Sequence, residues 1–289
     1  MLNVRHFDLN GLDLFSLEVF HAPRDVRANF GAKLTEEFPS IDLEEAVAFQ
    51  ASYPNVYVNP DDSSDDHVLA FGNAFMLRRD DLVVLIDTGI GYPAPDAPYR
   101  FALPTEFAAT GIAHEDVKIV LLTHGHPDHL GWVWNEHGAI FPNARHYFPT
   151  ADLEGLRAQY PALYEAQIKP LIDAGRLELI AGVHSLAPGI TTLPLPGHTP
   201  GQLGLRVEHD PPIIIAADAL HYPMQVTHPE WQNAFDTDPL QAVRSRREII
   251  AQSFESGAIL CATHLETPGV GRVVARGDGQ ICWQPVQTG

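Results

Sequence analysis

The chain has 289 residues, 45% hydrophobic and 19% charged, a balance that supports a sizeable buried core and excludes a disordered composition. Eighteen basic residues against 37 acidic ones give a net charge of −19, a surface that repels phosphate backbones and argues against a nucleic-acid partner. No apolar run reaches the roughly 20 residues of a membrane helix. The start MLNVRHFDLN also lacks the basic and apolar segments of a signal peptide, so no membrane partner and a cytoplasmic location are expected.

Residues 1–66 read as an N-terminal extension packing on or near the site carried by the rest, either as a lid or as a homodimer contact. It holds an amphipathic helix over Ile41 to Phe49 and ends in the acidic turn Pro60 to Asp66. The texture changes at His67, and 67–289 reads as the main domain. VLAFGNAFMLRR and LVVLID are two strands around the charged turn Arg79-Asp80-Asp81, and Thr105 to Ile112 is a short helix. Val117 to His124 is apolar too continuously for a half-exposed strand, which predicts burial on both faces. Asp152 to Ala174 is helical, interrupted or bounded by Pro161 and Pro170.

Short strands follow from Leu177 to Asp218. Pro239 to Ser253 is then a helix with Leu240, Val243, Ile249 and Ile250 inside and Arg244, Arg246, Arg247 and Glu248 mostly outside. Two closing strands flank a Gly-Asp-Gly turn. Cys261 and Cys282, in short apolar stretches, read as free structural thiols. Strands and helices interleave throughout, which makes the fold class α/β.

The chemistry concentrates in His124-Gly125-His126-Pro127-Asp128-His129, directly after the buried strand. A loop at a strand's carboxyl end is where open α/β sheets place their sites. Zinc takes imidazole nitrogen and carboxylate oxygen. His124 and His126 can point the same way from an extended loop, while Asp128 and His129, on the turn into a helix, can reach a second ion. His6, His21, His114, His137, His146, His184 and His209 have no companions at ligand spacing.

This His-x-His-x-Asp-His pattern resembles the signature of the metallo-β-lactamase superfamily. Asp87-Thr88-Gly89 resembles its first motif, Gly197-His198-Thr199-Pro200-Gly201 the motif with a further histidine, Asp218 the bridging carboxylate and His264 the last ligand. The resemblance covers about residues 67–285 and implies an αββα sandwich. It implies one metal on His124, His126 and His198, a second on Asp128, His129 and His264, and Asp218 between them. The cofactors it implies are two divalent metal ions: Zn2+ first, with Mn2+, Co2+ or Fe2+ as alternatives.

The same resemblance implies a hydrolase in which a metal-bridging hydroxide attacks a lactone or carboxylic ester, with Asp128 orienting it and passing on its proton. The run from Asp218 to Trp231 resembles the branch holding methyl parathion hydrolase and related lactone hydrolases, so phosphotriester hydrolysis is the alternative. A metal-binding relative without turnover is the non-enzyme alternative. Homoserine lactonases of the family place Tyr three positions after the bridging Asp, where this chain has His221, the second candidate catalytic residue. Trp132, Trp134, Tyr222, Met224, Trp231 and Phe235 are candidates for an apolar substrate pocket, and His228 is expected at the surface.

Overall fold

A strand that is apolar at every position sends alternate side chains into two different cores. The computed structural model of the chain, which describes residues 4–25, 52–53, 67–91, 103–277 and 279–286, shows this partition strand by strand. Among the described residues one seven-stranded sheet runs in the order β1 (Val4–Asp8), β2 (Asp13–Asp25), β3 (His67–Arg79), β4 (Leu82–Ile86), β5 (Val117–Leu121), β8 (Arg145–Pro149), β9 (Leu177–Ile180). The hairpin of β6 (Trp134–Asn135) and β7 (Gly138–Ala139) stands apart. A second seven-stranded sheet follows chain order: β10 (Ser185–Ala187), β11 (Ile190–Pro194), β12 (Leu203–Val207), β13 (Ile213–Ile215), β14 (Ile259–Cys261), β15 (Val270–Ala275), β16 (Ile281–Pro285). The pairs β4–β5, β5–β8, β8–β9 and β13–β14 are parallel, and the other ladders are antiparallel.

Phe75, Leu77, Val84, Ile86, Ile119 and Leu121 of the first sheet meet Leu205, Val207, Ile213, Ile215, Ile259 and Cys261 of the second in the central core. The alternate residues Met76, Leu85 and Val120 face an outer core shared with α1 (Leu103–Ala109) and α2 (Leu153–Gln159), through Phe107 and Leu156. On the other side Ile214, Ala216 and Leu260 pack against Ile249 and Ile250 of α3 (Pro239–Ser256). The layering is therefore helix, sheet, sheet, helix: the expected αββα sandwich. Each fully buried Leu, Ile or Val contributes about 1.5–3 kcal/mol, against about 0–1 kcal/mol for an exposed pair such as Lys169–Asp173. Apolar burial, not surface charge pairing, holds the layers together.

The helical stretch after Asp152 breaks where expected. Tyr160 leaves the helical region at φ −128°, ψ 57°, and Pro161 opens the segment Pro161–Leu163. A wider π turn, Tyr164–Ile168, then leads into Lys169–Asp173. Cys261 and Cys282 are free thiols, the former in the central core. The helix expected at Ile41 to Phe49 and the turn at Pro60 to Asp66 lie outside the described residues. Residues 4–25, which the sequence assigns to an N-terminal extension, form β1 and β2 and pair with β3.

His146 on β8 is fully buried, and neither ring nitrogen has a hydrogen-bond partner among the described residues. Burial, reinforced by the charge of Arg176, lowers its pKa to about 4. The fold accepts only the neutral ring, so stability is intact above the unfolded value near 6.5 and declines as pH falls from there toward 4. The gap corresponds to about 3 kcal/mol. His146→Leu is therefore expected to remove on the order of 2 kcal/mol of acid sensitivity between pH 7 and 4.5. Urea unfolding of both proteins at both pH values measures it, and equal losses in the two proteins would refute the assignment.

Candidate metal centre

The expected metal loop leaves the carboxyl end of β5 and is fixed by Asp87, one residue past β4. Asp87 lies in the left-handed region at φ 62°, a conformation costing about 1–3 kcal/mol in a non-glycine residue. Its carboxylate holds the loop. Oδ1 accepts the Thr123 N–H at 2.8 Å, and Oδ2 accepts the Thr123 hydroxyl at 2.8 Å and His129 Nδ1–H at 2.7 Å. With Nδ1 engaged, His129 turns its Nε2 lone pair toward the cluster. Gly131 crosses Gly91 so closely that a Cβ there would lie 1.7 Å from the Gly91 nitrogen, so the crossing admits no side chain. The turn into a helix expected at Asp128 is absent: residues 127–129 turn, 130–133 bend, and the chain enters β6. The Gly89 and Thr88 contacts with Gly131 and His129 (both backbone bonds) tie this segment to β4 instead.

The second sheet supplies the rest. His198 follows β11 on a loop where Gly197, at φ 130°, is pressed against α3: a Cβ would meet the Ala242 nitrogen at 2.1 Å. Asp218 follows β13 in the short turn Ala217–Ala219, and His264 follows β14. His264 Nδ1 donates to the Phe71 carbonyl of β3 at 2.5 Å, leaving Nε2 for the cluster.

These side chains converge. His126 Nδ1 lies 3.1 Å from His124 Nε2 and 2.9 Å from His198 Nε2. Asp218 Oδ2 is 3.3 Å from His198 Nε2 and 3.7 Å from His124 Nε2. On the other side His129 Nε2 is 3.7 Å from Asp128 Oδ2 and 3.3 Å from Asp218 Oδ1. His264 Nε2 stands 3.5 Å from Asp128 Oδ2 and 2.9 Å from Asp218 Oδ2. Two groups have all their ligand atoms within 4.8 Å of one another: His124, His126, His198 with Asp218, and Asp128, His129 with His264. A third, Asp218 with His221 and His264, meets the same limit.

The donor set fits divalent cations. His129 Nε2 and Asp218 Oδ1 are buried without a hydrogen-bond partner among the described residues, an expensive arrangement unless another group satisfies them. Nitrogen and carboxylate oxygen donors at this density suit zinc, manganese, cobalt or iron. Electrostatics agree. Burial opposes charge on His129, but Asp218, Asp87 and Asp128 outweigh it and raise its pKa well above the ordinary value. Burial opposes charge on His264 too, yet Asp218 and Asp128 raise its pKa. Burial works against the Asp218 carboxylate, and His129 and His264 still hold its pKa well below the usual range. The carboxylates demand positive charge that protons supply when no metal does. Burial and the neighbouring His198 keep His126 neutral, with a pKa of about 4.

The sequence reading gives three supporting residues no role at the site. Asp236 accepts from His198 Nδ1 at 3.2 Å, and its other oxygen lies 3.4 Å from Arg246. Burial works against its charge, but the His198 bond and the Arg246 cation bring its pKa down to about 2. Arg246, expected outside α3, is fully buried and donates to the carbonyls of Ala219, Pro229 and Trp231. Leu240, expected inside, is 47% exposed. Asp152 bridges the two ligand loops, accepting from Gly125 N–H at 3.1 Å, the Thr199 hydroxyl at 2.7 Å and Gly201 N–H at 2.6 Å.

A cavity of about 310 Å³ opens over the cluster. His221 lines it, with Nε2 3.5 Å from Asp218 Oδ2 and its ring stacked on His264 at 4.8 Å. Burial lowers its pKa to about 3, so the imidazole is neutral. Of the apolar pocket candidates, Tyr222 and Phe235 line the cavity. Trp132 and Trp134 pack instead against the outer core of the first sheet, and Met224 and Trp231 are buried. Phe20, Ala70, Ile90 and Tyr160 complete the apolar wall. His228 is half-buried, stacked on Trp231 at 4.5 Å.

Known proteins share this fold. The structure is similar to that of hydrolase AbOPH in the β-lactamase superfamily, at TM-score 0.81 and 21% identity, covering 99% of this chain and 98% of that one. It is also similar to AidC, a dizinc quorum-quenching lactonase solved in complex with a product N-hexnoyl-L-homoserine, at TM-score 0.78 and 21% identity over 99% and 98%. In sequence it is 29% identical over 178 residues to the N-acyl homoserine lactonase AiiB of Agrobacterium fabrum (strain C58 / ATCC 33970), a match spanning 52% of this chain and 63% of AiiB. Residues 68–264 match the family model of the metallo-beta-lactamase superfamily, from β3 to His264, and the chain belongs to that superfamily.

Proposed function

We propose that the protein is a dinuclear, zinc-dependent hydrolase that opens lactones or cleaves carboxylic esters. The observation that carries this reading is the convergence of six nitrogen and oxygen donor residues around Asp218 at the floor of a mostly apolar cavity. His124, His126 and His198 would hold one ion, Asp128, His129 and His264 the other, with Asp218 shared. Two such ions, when bound, supply a Lewis acid for the carbonyl oxygen and a water acidified toward neutrality.

The chain's own groups do the rest. Asp128 is the acid of the cluster whose side chain is partly open, at 25% exposure; its carboxylate takes a proton from the attacking water and returns it to the departing alkoxide oxygen. The neutral His221 ring stands beside Asp218 and orients the substrate carbonyl. The apolar wall of Phe20, Ala70, Ile90 and Phe235 excludes bulk water and binds an apolar substituent. Similarity to lactonases supports a lactone as the substrate.

The test is metal content per chain together with turnover of a γ-lactone, an aryl ester, a phosphotriester and a β-lactam. About two ions per chain, with lactone or ester turnover lost on chelation and restored by zinc, is the expected result. Turnover that survives complete metal removal would refute the reading. Preferential turnover of the phosphotriester would move the substrate class to organophosphates.

A further inference from the structure

Four of the five histidines in the two ion groups have a hydrogen-bond partner outside the ligand set for the ring nitrogen turned away from the cluster. His124 Nδ1 lies 3.1 Å from the Thr123 hydroxyl, His129 bonds Asp87, His198 bonds Asp236 and His264 bonds the Phe71 carbonyl. Partners of this kind fix ring orientation, and losing one costs about 10- to 100-fold in metal affinity. His126 is the exception. Among the described residues its ring lies within hydrogen-bond distance only of His124 and His198, which are ligands themselves. Its placement must come from its backbone.

Asp152 holds that backbone. Its Oδ2 accepts the N–H of Gly125, one residue before His126, and the hydroxyl of Thr199, one residue after His198. Its Oδ1 accepts the N–H of Gly201 on the same loop as His198. One buried carboxylate thus clasps a loop of the first sheet to a loop of the second. Two features show what this contact displaces. Asp152 stands at the N-cap position of α2 yet makes no side-chain bond to that helix, forgoing about 0.5–2 kcal/mol of capping. A Cβ on Gly201 would lie 2.7 Å from Asp152 Oδ1, so the glycine leaves room for the carboxylate. The ligands of the second ion are held elsewhere: His129 by Asp87, with Thr88 and Gly89 tying that end of the loop, and His264 by Phe71. Resting on the two-ion reading above, we propose that Asp152 is a positioning residue for the first ion alone: it sets the separation of His126 and His198, 2.9 Å between their facing nitrogens, and with it the affinity of the position they share with His124.

Competition between the full chain and a zinc-binding dye measures both affinities. In Asp152→Ala the first ion is expected to bind about 10- to 100-fold more weakly, with the second within about 3-fold of wild type. Asp152→Asn can keep the oxygen that faces Gly125 and Thr199, and is expected to fall between. Co2+ identifies the ion retained: the shifted ring N–H signals of His129 and His264 persist in Asp152→Ala, while those of His124 and His198 are lost. Thr199→Val removes one arm of the clasp with Asp152 in place and is expected to show the same selective loss in weaker form. Thr199→Ser keeps the hydroxyl and is expected to bind both ions as wild type does. This pair decides the matter if Asp152→Ala fails to fold. Equal weakening of both ions, or both held at wild-type affinity, overturns the proposal, as does Thr199→Ser behaving like Thr199→Val. Any of these in a protein whose wild type binds two ions sinks only this role for Asp152. A wild type that binds fewer than two ions sinks the two-ion reading and this proposal with it.

Discussion

Asp218→Asn is expected to release bound metal from both positions and to lower hydrolysis by on the order of 10³-fold, since loss of several kcal/mol of charge stabilisation costs tenfold per 1.36 kcal/mol. The substitution keeps the shape of the side chain and removes its charge. In the native site Oδ1 faces His129 at 3.3 Å, while Oδ2 faces His264 at 2.9 Å and His198 at 3.3 Å. An amide there has one oxygen and one NH2 group, so one side of the cluster meets a donor where a lone pair is required. Elemental analysis after dialysis, with turnover measured on the same sample, decides the matter. Two ions retained at undiminished affinity would mean that this carboxylate does not bridge.

Arg246→Met is expected to cost about 3–5 kcal/mol of stability, because removing one partner of a buried pair leaves the other charge uncompensated. Arg246 and Asp236 are both fully buried side chains, and the same guanidinium also satisfies three backbone carbonyls. One of those belongs to Ala219, next to Asp218, and Asp236 in turn holds His198. The damage should therefore reach the metal site, with affinity lowered about 10- to 100-fold as for other residues that orient metal-binding histidines. Guanidinium unfolding measures the first effect and competition with a metal-binding dye the second. The double variant Arg246→Met/Asp236→Asn should recover part of the stability, because no uncompensated charge then remains. An unfolding midpoint equal to wild type in Arg246→Met would show that the pair carries no weight.

Arg246 also shows where sequence reading stops. Its spacing, three residues after Val243 and three before Ile249, puts it on the apolar face of α3, but its residue type argues for the outside. The structure follows spacing, because Asp236 and three carbonyls wait at that face for a cation. The seven donor residues were legible because each ends a strand or sits in a dense motif, and strand ends are fixed by hydrophobic pattern. Asp152 and Asp236 act through contacts with residues distant along the chain, and no local pattern announces such contacts. The pocket residues divide for the same reason. Tyr222 and Phe235 reach the cavity, whereas Trp132, a few residues from the metal motif, turns into the core because the Gly91–Gly131 crossing takes that segment toward α1 and Phe107. The layered fold was readable from alternation alone, since every central strand divides its side chains between two cores.

The donors are divided between the two sheets: His124, His126, Asp128 and His129 hang from the first, and His198, Asp218 and His264 from the second. Any ion held by this set is a removable cross-link between the halves of the sandwich. Its binding free energy adds to folding free energy, by about 2.7 kcal/mol at a free concentration of 100 times its dissociation constant. Removing such an ion would then lower the stability of the folded chain as well as its chemistry.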